Sequence, residues 1–166
     1  MPEETTDSLA ALGGAVASLL KDRKHTIAVA ESAAGGLISA ALLAVPGASA
    51  YYLGGGVIYT GGARESLLGI TAADMAKLRP ATEPYAQLVA QRVREELGAT
   101  WGLCETGASG PSGNRYGDAP GHACFAVSGP VDAAIALETG SGDREANMWR
   151  FARGALELLA ACVRKS

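Results

Sequence analysis

A serine lies between an apolar run and a helical pattern in the segment AESAAGG, residues 30–36. If a strand delivers Ser32 to the start of a helix, the unpaired backbone N–H groups there can bind an anion or stabilise a developing oxyanion. Ser32 is therefore a candidate site residue, and Gly35 and Gly36 would let a ligand approach the backbone closely. The alternative is that Ser32 only caps the helix and that the glycines only allow close packing.

A long polar segment, residues 106–121 (TGASGPSGNRYGDAPG), is dense in glycine, proline, serine and asparagine. Loops of this length in compact domains are often functional, although a plain surface loop is an equal alternative here. No GK[ST] follows the glycines, and the residues do not follow GxGxxG. The sequence therefore indicates neither a Walker A loop nor a dinucleotide-binding fingerprint.

The third candidate is the tripeptide Gly142-Asp143-Arg144 before the last helical pattern. Asp143 suits the cap of that helix. Arg144 would then project a fixed, planar cation toward a phosphate or a carboxylate. The alternative is a capped helix whose arginine is only solvated.

The cysteine and histidine pattern argues against a metal centre. Cys104, Cys124 and Cys162 are odd in number, lie far apart and form no CxxC pair, so we expect neither a disulfide framework nor a zinc site. Free cysteines of this kind favour a reducing compartment. His25 and His122 are isolated, which excludes HxxxH and His/Cys clusters. Spacing alone supports no Ser-His-Asp set.

Composition indicates a single globular domain over residues 1–166, with 48% hydrophobic and 19% charged residues. The formal net charge of -3 argues against a nucleic-acid binder and favours a small-molecule ligand. The acidic start, residues 1–14, lacks the basic region of a secretory signal, and no apolar run reaches the ~18 residues that span a bilayer. We therefore expect a cytoplasmic protein without membrane contact.

Apolar periodicity and turn residues predict helices and strands that alternate early and strands that pair locally late. Asp7 or Ser8 would cap the first helix, and Thr71 would cap a short one. In chain order, the predicted elements are a helix over 8–22, a strand over 26–30, a helix over 33–44, a strand over 51–60 interrupted by three glycines, short helices over 63–68 and 71–78, a helix over 82–97, a strand over 101–105, a loop over 106–121, strands over 122–128 and 131–139 joined at Gly129-Pro130, and a helix over 144–164.

This order, roughly α-β-α-β-α-β-β-β-α, predicts an α/β fold: a mixed β-sheet with helices on both faces, in three α/β/α layers. The three glycines of the 51–60 strand predict a bulge or a close backbone approach.

The candidate segments also resemble, in order, the motifs of the CinA C-terminal-domain family, the nicotinamide mononucleotide deamidases. Its members carry a strand ending in AES, a Gly-Gly pair, a helix ending near VPG, a Gly-Val-x-Tyr strand, a Leu-Leu-Gly turn, a Thr-Gly loop and a Gly-Asp-Arg. The matching residues are Ala30-Glu31-Ser32, Gly35-Gly36-Leu37-Ile38, Val45-Pro46-Gly47, Gly56-Val57-Ile58-Tyr59, Leu67-Leu68-Gly69-Ile70, Thr106-Gly107-Ala108-Ser109-Gly110-Pro111 and Gly142-Asp143-Arg144.

The resemblance implies hydrolysis of the carboxamide of nicotinamide mononucleotide to the acid and ammonia, with no metal or organic cofactor, by a homo-oligomer. It implies that Ser32 is the nucleophile, that Tyr59 and Thr106 act beside it, and that Arg64 occupies the position of the family's helper lysine. The implied substrate-binding residues are Glu31, Gly35, Gly36, Gly107 and Arg144.

Three positions differ from the family pattern: Ala33-Ala34 replaces Cys-Thr, Gly61 replaces an asparagine, and Arg64 replaces the lysine. A lysine can lose its proton and act as a base, whereas arginine keeps its charge at any working pH. Arg64 could therefore hold a phosphate or favour the alkoxide electrostatically, but it could not take a proton.

The leading hypothesis is an amidohydrolase that acts on a pyridine nucleotide or a related amide. The N–H groups near Ala34 to Gly36 would hold the oxyanion, and arginines would hold the phosphate. The proton acceptor is open among Glu31, Glu105 and a water. The first alternative is a nucleotide-binding module without turnover, and the second is a structural or interaction protein.

Overall fold

The computed structural model describes residues 8–166, and its first element is helix α1, Leu9–Arg23. The hydroxyl of Ser8 caps α1 by accepting a hydrogen bond of 3.1 Å from an N–H of the first turn. The predicted helix over 8–22 is thus confirmed, and the alternative cap, Asp7, lies outside the described residues.

Three of the later helices also begin behind side-chain caps, namely Thr60, Thr82 and Asp143, which accept hydrogen bonds from N–H groups that otherwise lack a partner at a helix start. The remaining elements, in chain order, are β1 (Ile27–Glu31), α2 (Leu37–Leu43), a 3-10 turn (Ala48–Ala50), β2 (Tyr52–Val57), α3 (Gly61–Leu68), α4 (Glu83–Leu97), β3 (Trp101–Gly107), β4 (His122–Ser128), β5 (Ala133–Glu138) and α5 (Arg144–Arg164).

The strands form one mixed sheet in the order β2-β1-β3-β4-β5. β1 pairs parallel with β2 and with β3, because helices carry the chain back between these strands. β3, β4 and β5 pair antiparallel, and the turn at Gly129-Pro130 lies between the last two strands as predicted. The predicted mixed α/β sheet is confirmed.

Helices cover both faces of this sheet, which also confirms the predicted layers. On one face, α1, α2 and α5 pack over apolar side chains such as Ile27, Leu103 and Phe125. On the other face, α4 packs over small side chains such as Ala28 and Ala126. The central strands are buried on both sides, which explains their continuous apolar sequences.

Two glycine segments depart from the predicted element lengths. The helix predicted over 33–44 begins only at Leu37, because Gly35 and Gly36 adopt φ angles of 68° and 104°, which a right-handed helix excludes. The strand predicted over 51–60 is shorter, but its close approach is confirmed: a Cβ on Gly55 would lie 1.7 Å from the carbonyl oxygen of β1.

Two other predictions need correction. The predicted helix over 71–78 is absent, and isolated turns replace it; Pro80 follows closely and disfavours helical backbone in the residue before it. The strand predicted over 101–105 continues through Thr106 and Gly107. Between residues 8 and 166, no helix is both long and apolar enough to cross a membrane.

Candidate active site

A cavity of about 530 Å³ opens where β1, β2 and β3 end. Parallel strands place their carboxyl ends at one edge of a sheet, and α/β folds bind ligands there. Five residues singled out in the sequence line this cavity: Ser32, Tyr59, Arg64, Thr106 and Gly107.

A second cavity of about 250 Å³ adjoins the first and shares Tyr59, Gly107 and Asn114 with it. Arg144 lines this second cavity, where its guanidinium donates to the carbonyl oxygen of Gly110 (2.6 Å) and to the hydroxyl of Tyr59 (3.4 Å). Arg144 is therefore fixed beside the residues around Ser32 rather than only solvated.

Both cavities are electropositive at their walls. Arg64 and Arg115 line the larger cavity, and Arg144 lines the smaller one. Among residues 8–166, no carboxylate lines either cavity. Fixed cations without lining anions favour an anionic ligand such as a phosphate ester.

Three of the residues expected to bind substrate line neither cavity: Glu31, Gly35 and Gly36. Glu31 is 1% exposed, and its carboxylate accepts hydrogen bonds of 2.9, 3.1 and 2.9 Å from the N–H groups of Gly36, Ile38 and Ser39. Glu31 thus neutralises the start of α2, where N–H groups would otherwise lack partners. Gly35 and Gly36 form the left-handed turn that leads into that helix.

The backbone N–H groups expected to hold an oxyanion already have partners inside the protein. The N–H of Ala34 donates to Glu105 (2.9 Å), that of Gly35 to the carbonyl oxygen of Ser32 (3.0 Å), and that of Gly36 to Glu31. The sequence-based assignment of an oxyanion hole to residues 34–36 is therefore corrected: these donors serve a turn and two buried carboxylates.

Glu105 is the second of these carboxylates, and it lies near the carboxyl end of β3. It is 1% exposed, and its Oε2 accepts hydrogen bonds from the N–H groups of Ser32 (2.8 Å) and Ala34 (2.9 Å). Its Oε1 is buried and has no partner among the described residues. Burial raises the pKa of Glu105 to about 7, with a further contribution from the nearby charge of Glu31, although the backbone hydrogen bonds oppose the rise.

Arg64 reaches the cavity from α3 and lies over the ring of Tyr85, with 5.6 Å between the guanidinium carbon and the ring centroid. Its buried Nε has no hydrogen-bond partner in the described part of the chain. Burial raises the pKa of Tyr85, while the charge and hydrogen bond of Arg64 oppose that rise. Arg64 is thus a half-buried cation held by an aromatic face.

Comparison with known proteins identifies the family at this point. A family model described as CinA C-terminal domain matches residues 9–163. The chain belongs to the CinA C-terminal domain family.

Curated relatives support this membership. The chain is 38% identical over 138 residues to a CinA-like protein of Gloeobacter violaceus, which covers 83% of this chain and 32% of the relative. It is 37% identical over 119 residues to a CinA-like protein of Prochlorococcus marinus, with 72% of this chain and 28% of the relative covered. The chain therefore spans about a third of the length of these relatives.

Solved CinA structures share the fold. A competence-damaged protein (CinA) superfamily protein from Klebsiella pneumoniae matches with a TM-score of 0.89 and 25% identity, over 96% of this chain and 100% of that one. A superfamily member from Enterobacter cloacae matches with a TM-score of 0.85 and 27% identity, over 98% and 96% of the two chains.

Sequence reasoning missed how this CinA domain builds the outer wall of its larger cavity. Asn114, Arg115 and Tyr116 of the long loop line it. The loop is held by Asp118, which accepts hydrogen bonds from Arg79 (2.8 and 3.3 Å) and from the amide of Asn114 (2.8 Å). The polar residues of the loop therefore give it a defined shape, which glycine content alone does not indicate.

His122 anchors a second part of that wall from β4. Its Nε2 lies 2.8 Å from the carbonyl oxygen of Ala81, a lining residue with a positive φ of 61°, and its Nδ1 contacts Glu138. Burial disfavours the charged imidazole, but Ala81, Glu138 and Asp118 together outweigh it and raise the pKa of His122. An isolated histidine in the sequence gives no indication that it will anchor a cavity wall.

Proposed function

We propose that this CinA domain hydrolyses the carboxamide of nicotinamide mononucleotide to the acid and releases ammonia. The observation that carries the proposal is the position of Ser32 on the wall of a cavity whose lining includes arginines and, among residues 8–166, no carboxylate. A cavity of this size suits a mononucleotide, and the adjoining one offers Arg144 to its phosphate. The resemblance of the motifs supports the same reaction.

In the proposed reaction, the Oγ of Ser32 attacks the carboxamide carbon and ammonia leaves the tetrahedral intermediate. Water then hydrolyses the acyl-serine and regenerates the hydroxyl. Arg64 keeps its charge, so it stabilises negative charge on the reacting oxygens rather than accepting a proton. Thr106 and Tyr59 orient the substrate, and the reaction needs neither a metal nor an organic cofactor.

The roles of the other three residues change in this proposal. Glu31, Gly35 and Gly36 position Ser32 by shaping the turn and capping α2, and they do not contact the substrate. Gly107 keeps a binding role, because it lines both cavities. The residue has to be a glycine because a Cβ would lie 2.3 Å from the carbonyl oxygen of His122 in β4.

A second candidate function is nucleotide binding without turnover. Two observations favour it: the N–H groups of residues 34–36 are engaged within the protein, and arginine stands where the family has its lysine. A binding module needs the cavity and its cations but neither an oxyanion hole nor a base.

The test measures ammonia release from nicotinamide mononucleotide and, separately, its binding by calorimetry. Wild type should release ammonia, and Ser32→Ala should lose at least about 10³-fold in rate while it still binds. Ser66→Ala, a change of the same kind at an exposed position of α3, is the matched control and should behave as wild type. Binding without ammonia release by the wild type would favour the second candidate, and absence of both would reject the nucleotide ligand.

We also propose that the chain is a single domain that assembles with copies of itself. β2 is an edge strand of the sheet, and Leu53, Val57 and Leu67 are exposed on or beside it. Apolar side chains on an unpaired edge favour association. Light scattering should give a mass above the monomer, and Leu53→Lys should reduce it; a monomeric wild type would contradict the proposal.

A further inference from the structure

Glu105 accepts a hydrogen bond from the backbone of Ser32, a residue that lines the larger cavity. Oε2 is 2.8 Å from the backbone nitrogen of Ser32, and Oε1 is buried without a partner among residues 8–166. Buried carboxylate oxygens usually accept hydrogen bonds, so an unpartnered one requires an explanation. Proton transfer is such an explanation, since a base needs an oxygen that is not already hydrogen-bonded within the protein.

The hydroxyl of Ser32 belongs to the same residue as the nitrogen that Glu105 binds. Rotation about χ1 moves Oγ among three staggered positions around that backbone. Ser32 also lines the cavity, whereas Glu105 does not. Ser32 therefore links the ligand space to a buried carboxylate, and a rotamer that turns Oγ toward Glu105 gives the hydroxyl proton a nearby acceptor.

We propose that Glu105 accepts the hydroxyl proton of Ser32 when Ser32 attacks its substrate. This assignment rests on the proposed hydrolysis. In the first step, the Ser32 O–H bond breaks, the O–C bond forms and the proton moves to Glu105. Glu105 then returns the proton to the leaving nitrogen, which departs as ammonia. The attacking water gives its proton to Glu105 in the second half, and the regenerated Ser32 recovers it.

Three other charged or titratable groups around the cavity are excluded as acceptors. Both oxygens of Glu31 are bound by N–H groups at the start of α2. Arg64 cannot release its proton at a working pH. His122 is committed to Ala81 and Glu138. The pKa of Glu105, raised by burial to about 7, suits a base that works near neutrality.

The test measures the activation of Ser32 without assuming the substrate. A fluorophosphonate forms an O–P bond with an activated serine and releases fluoride, and mass spectrometry locates the product on the Ser32 peptide. In wild type, the labelling rate should rise with pH and level off above about 7. In Glu105→Gln, labelling should be slower by about 10²-fold at pH 8, and the break in its pH profile near 7, where the wild-type rate levels off, should disappear.

Glu157→Gln is the matched control, because it makes the same change at an exposed position of α5. It should label as wild type does. If Glu105→Gln does not fold by circular dichroism, Glu105→Asp replaces it. The shorter carboxylate retreats from Ser32, so slower labelling with a retained break supports the assignment, and an unchanged rate overturns it. Wild-type Ser32 that is not labelled at any pH also overturns it.

Ammonia release measured in parallel separates the two proposals. Labelling as expected without ammonia release from nicotinamide mononucleotide would reject that substrate and leave Glu105 as the acceptor. Ammonia release at the same rate and pH dependence in wild type and Glu105→Gln would keep the deamidase and reject Glu105.

Discussion

Glu31 and Glu105 have the same residue type, burial and position in the sheet, yet their surroundings differ. β1 and β3 pair in parallel with Ala30 opposite Cys104, and each glutamate occupies the next position of its strand. Both are 1% exposed. Glu31 receives three N–H groups on its two oxygens, whereas Glu105 has partners on only one oxygen within the described part of the chain.

This difference separates a structural carboxylate from a reactive one. A carboxylate whose lone pairs are filled by helix N–H groups holds the start of that helix. A carboxylate that is buried with a free oxygen pays the desolvation cost and releases its proton only near neutral pH. The contacts of each side chain, rather than residue type or burial, therefore decide which glutamate can do chemistry.

The largest expected effect concerns the structural carboxylate. Glu31→Ala would leave the N–H groups of Gly36, Ile38 and Ser39 without their acceptor, so we expect a loss of about 3 kcal/mol or more in the free energy of unfolding. Urea unfolding followed by circular dichroism measures it, with Glu157→Ala as the exposed control. A loss below about 1 kcal/mol would show that Glu31 is not the support of α2.

The next effect concerns Glu105 and a lysine at position 64 that could act as the base in its place. In the Glu105→Gln background, Arg64→Lys should restore ammonia release by about 10²-fold, because a lysine beside Ser32 can act as the base. In wild type, Arg64→Lys should gain less than about tenfold, since Glu105 already supplies that help. Adding Ser32→Ala should remove the restored rate. A gain of 10² or more from Arg64→Lys alone would instead indicate that wild type lacks a base.

A smaller effect is expected on stability from Glu105 itself. Its pKa is about 7 in the folded protein against an ordinary value of 4.5. The folded protein therefore keeps a proton that the unfolded chain has lost, and wild-type stability falls as pH rises through this window. Glu105→Gln should thus raise the free energy of unfolding at pH 8 by about 2 kcal/mol, with no gain at pH 4. An equal difference at both pH values would contradict the buried titration.

The smallest effect is expected at an exposed carboxylate, Glu138, which contacts His122. The folded protein raises the pKa of His122, so the stability from this contact is present below the ordinary value of 6.5 and is lost as pH rises through the folded pKa. Glu138 is 60% exposed, so Glu138→Gln should lower the free energy of unfolding by less than about 1 kcal/mol at pH 5 and by nothing measurable at pH 9. A loss as large as that of Glu31→Ala would remove the contrast between buried and exposed carboxylates.

Much of the fold was predictable because local patterns and burial agree. The closing helix over residues 144–164 has an acidic cap and apolar periodicity, and it forms as predicted. The hairpin of β4 and β5 follows from two apolar runs around a Gly-Pro turn. The helix predicted over 71–78 does not form, because a threonine cap and a few apolar residues in so short a segment do not offset the cost of starting a helix.

The candidate site was predictable in part, because the ends of strands can be read from the sequence. Ser32, Tyr59, Thr106 and Gly107 each follow or end an apolar strand, and parallel strands bring such positions to one edge. The sequences IAVAE and WGLCE both end in glutamate, a signal that could have drawn attention to the pair, but nothing in them distinguishes Glu31 from Glu105.

The sequence by itself determined the order of elements, the layers and the residues at the strand ends, because these depend on local periodicity and on which side chains avoid water. The tertiary structure decided that the N–H groups of Ser32 and Ala34 go to Glu105, which lies more than seventy positions away in the chain. The N–H groups at the start of α2 go instead to Glu31, five to seven positions before them. Hydrogen bonds are directional and each donor is used up by its partner, so only the assembled fold could fix which glutamate keeps a free oxygen.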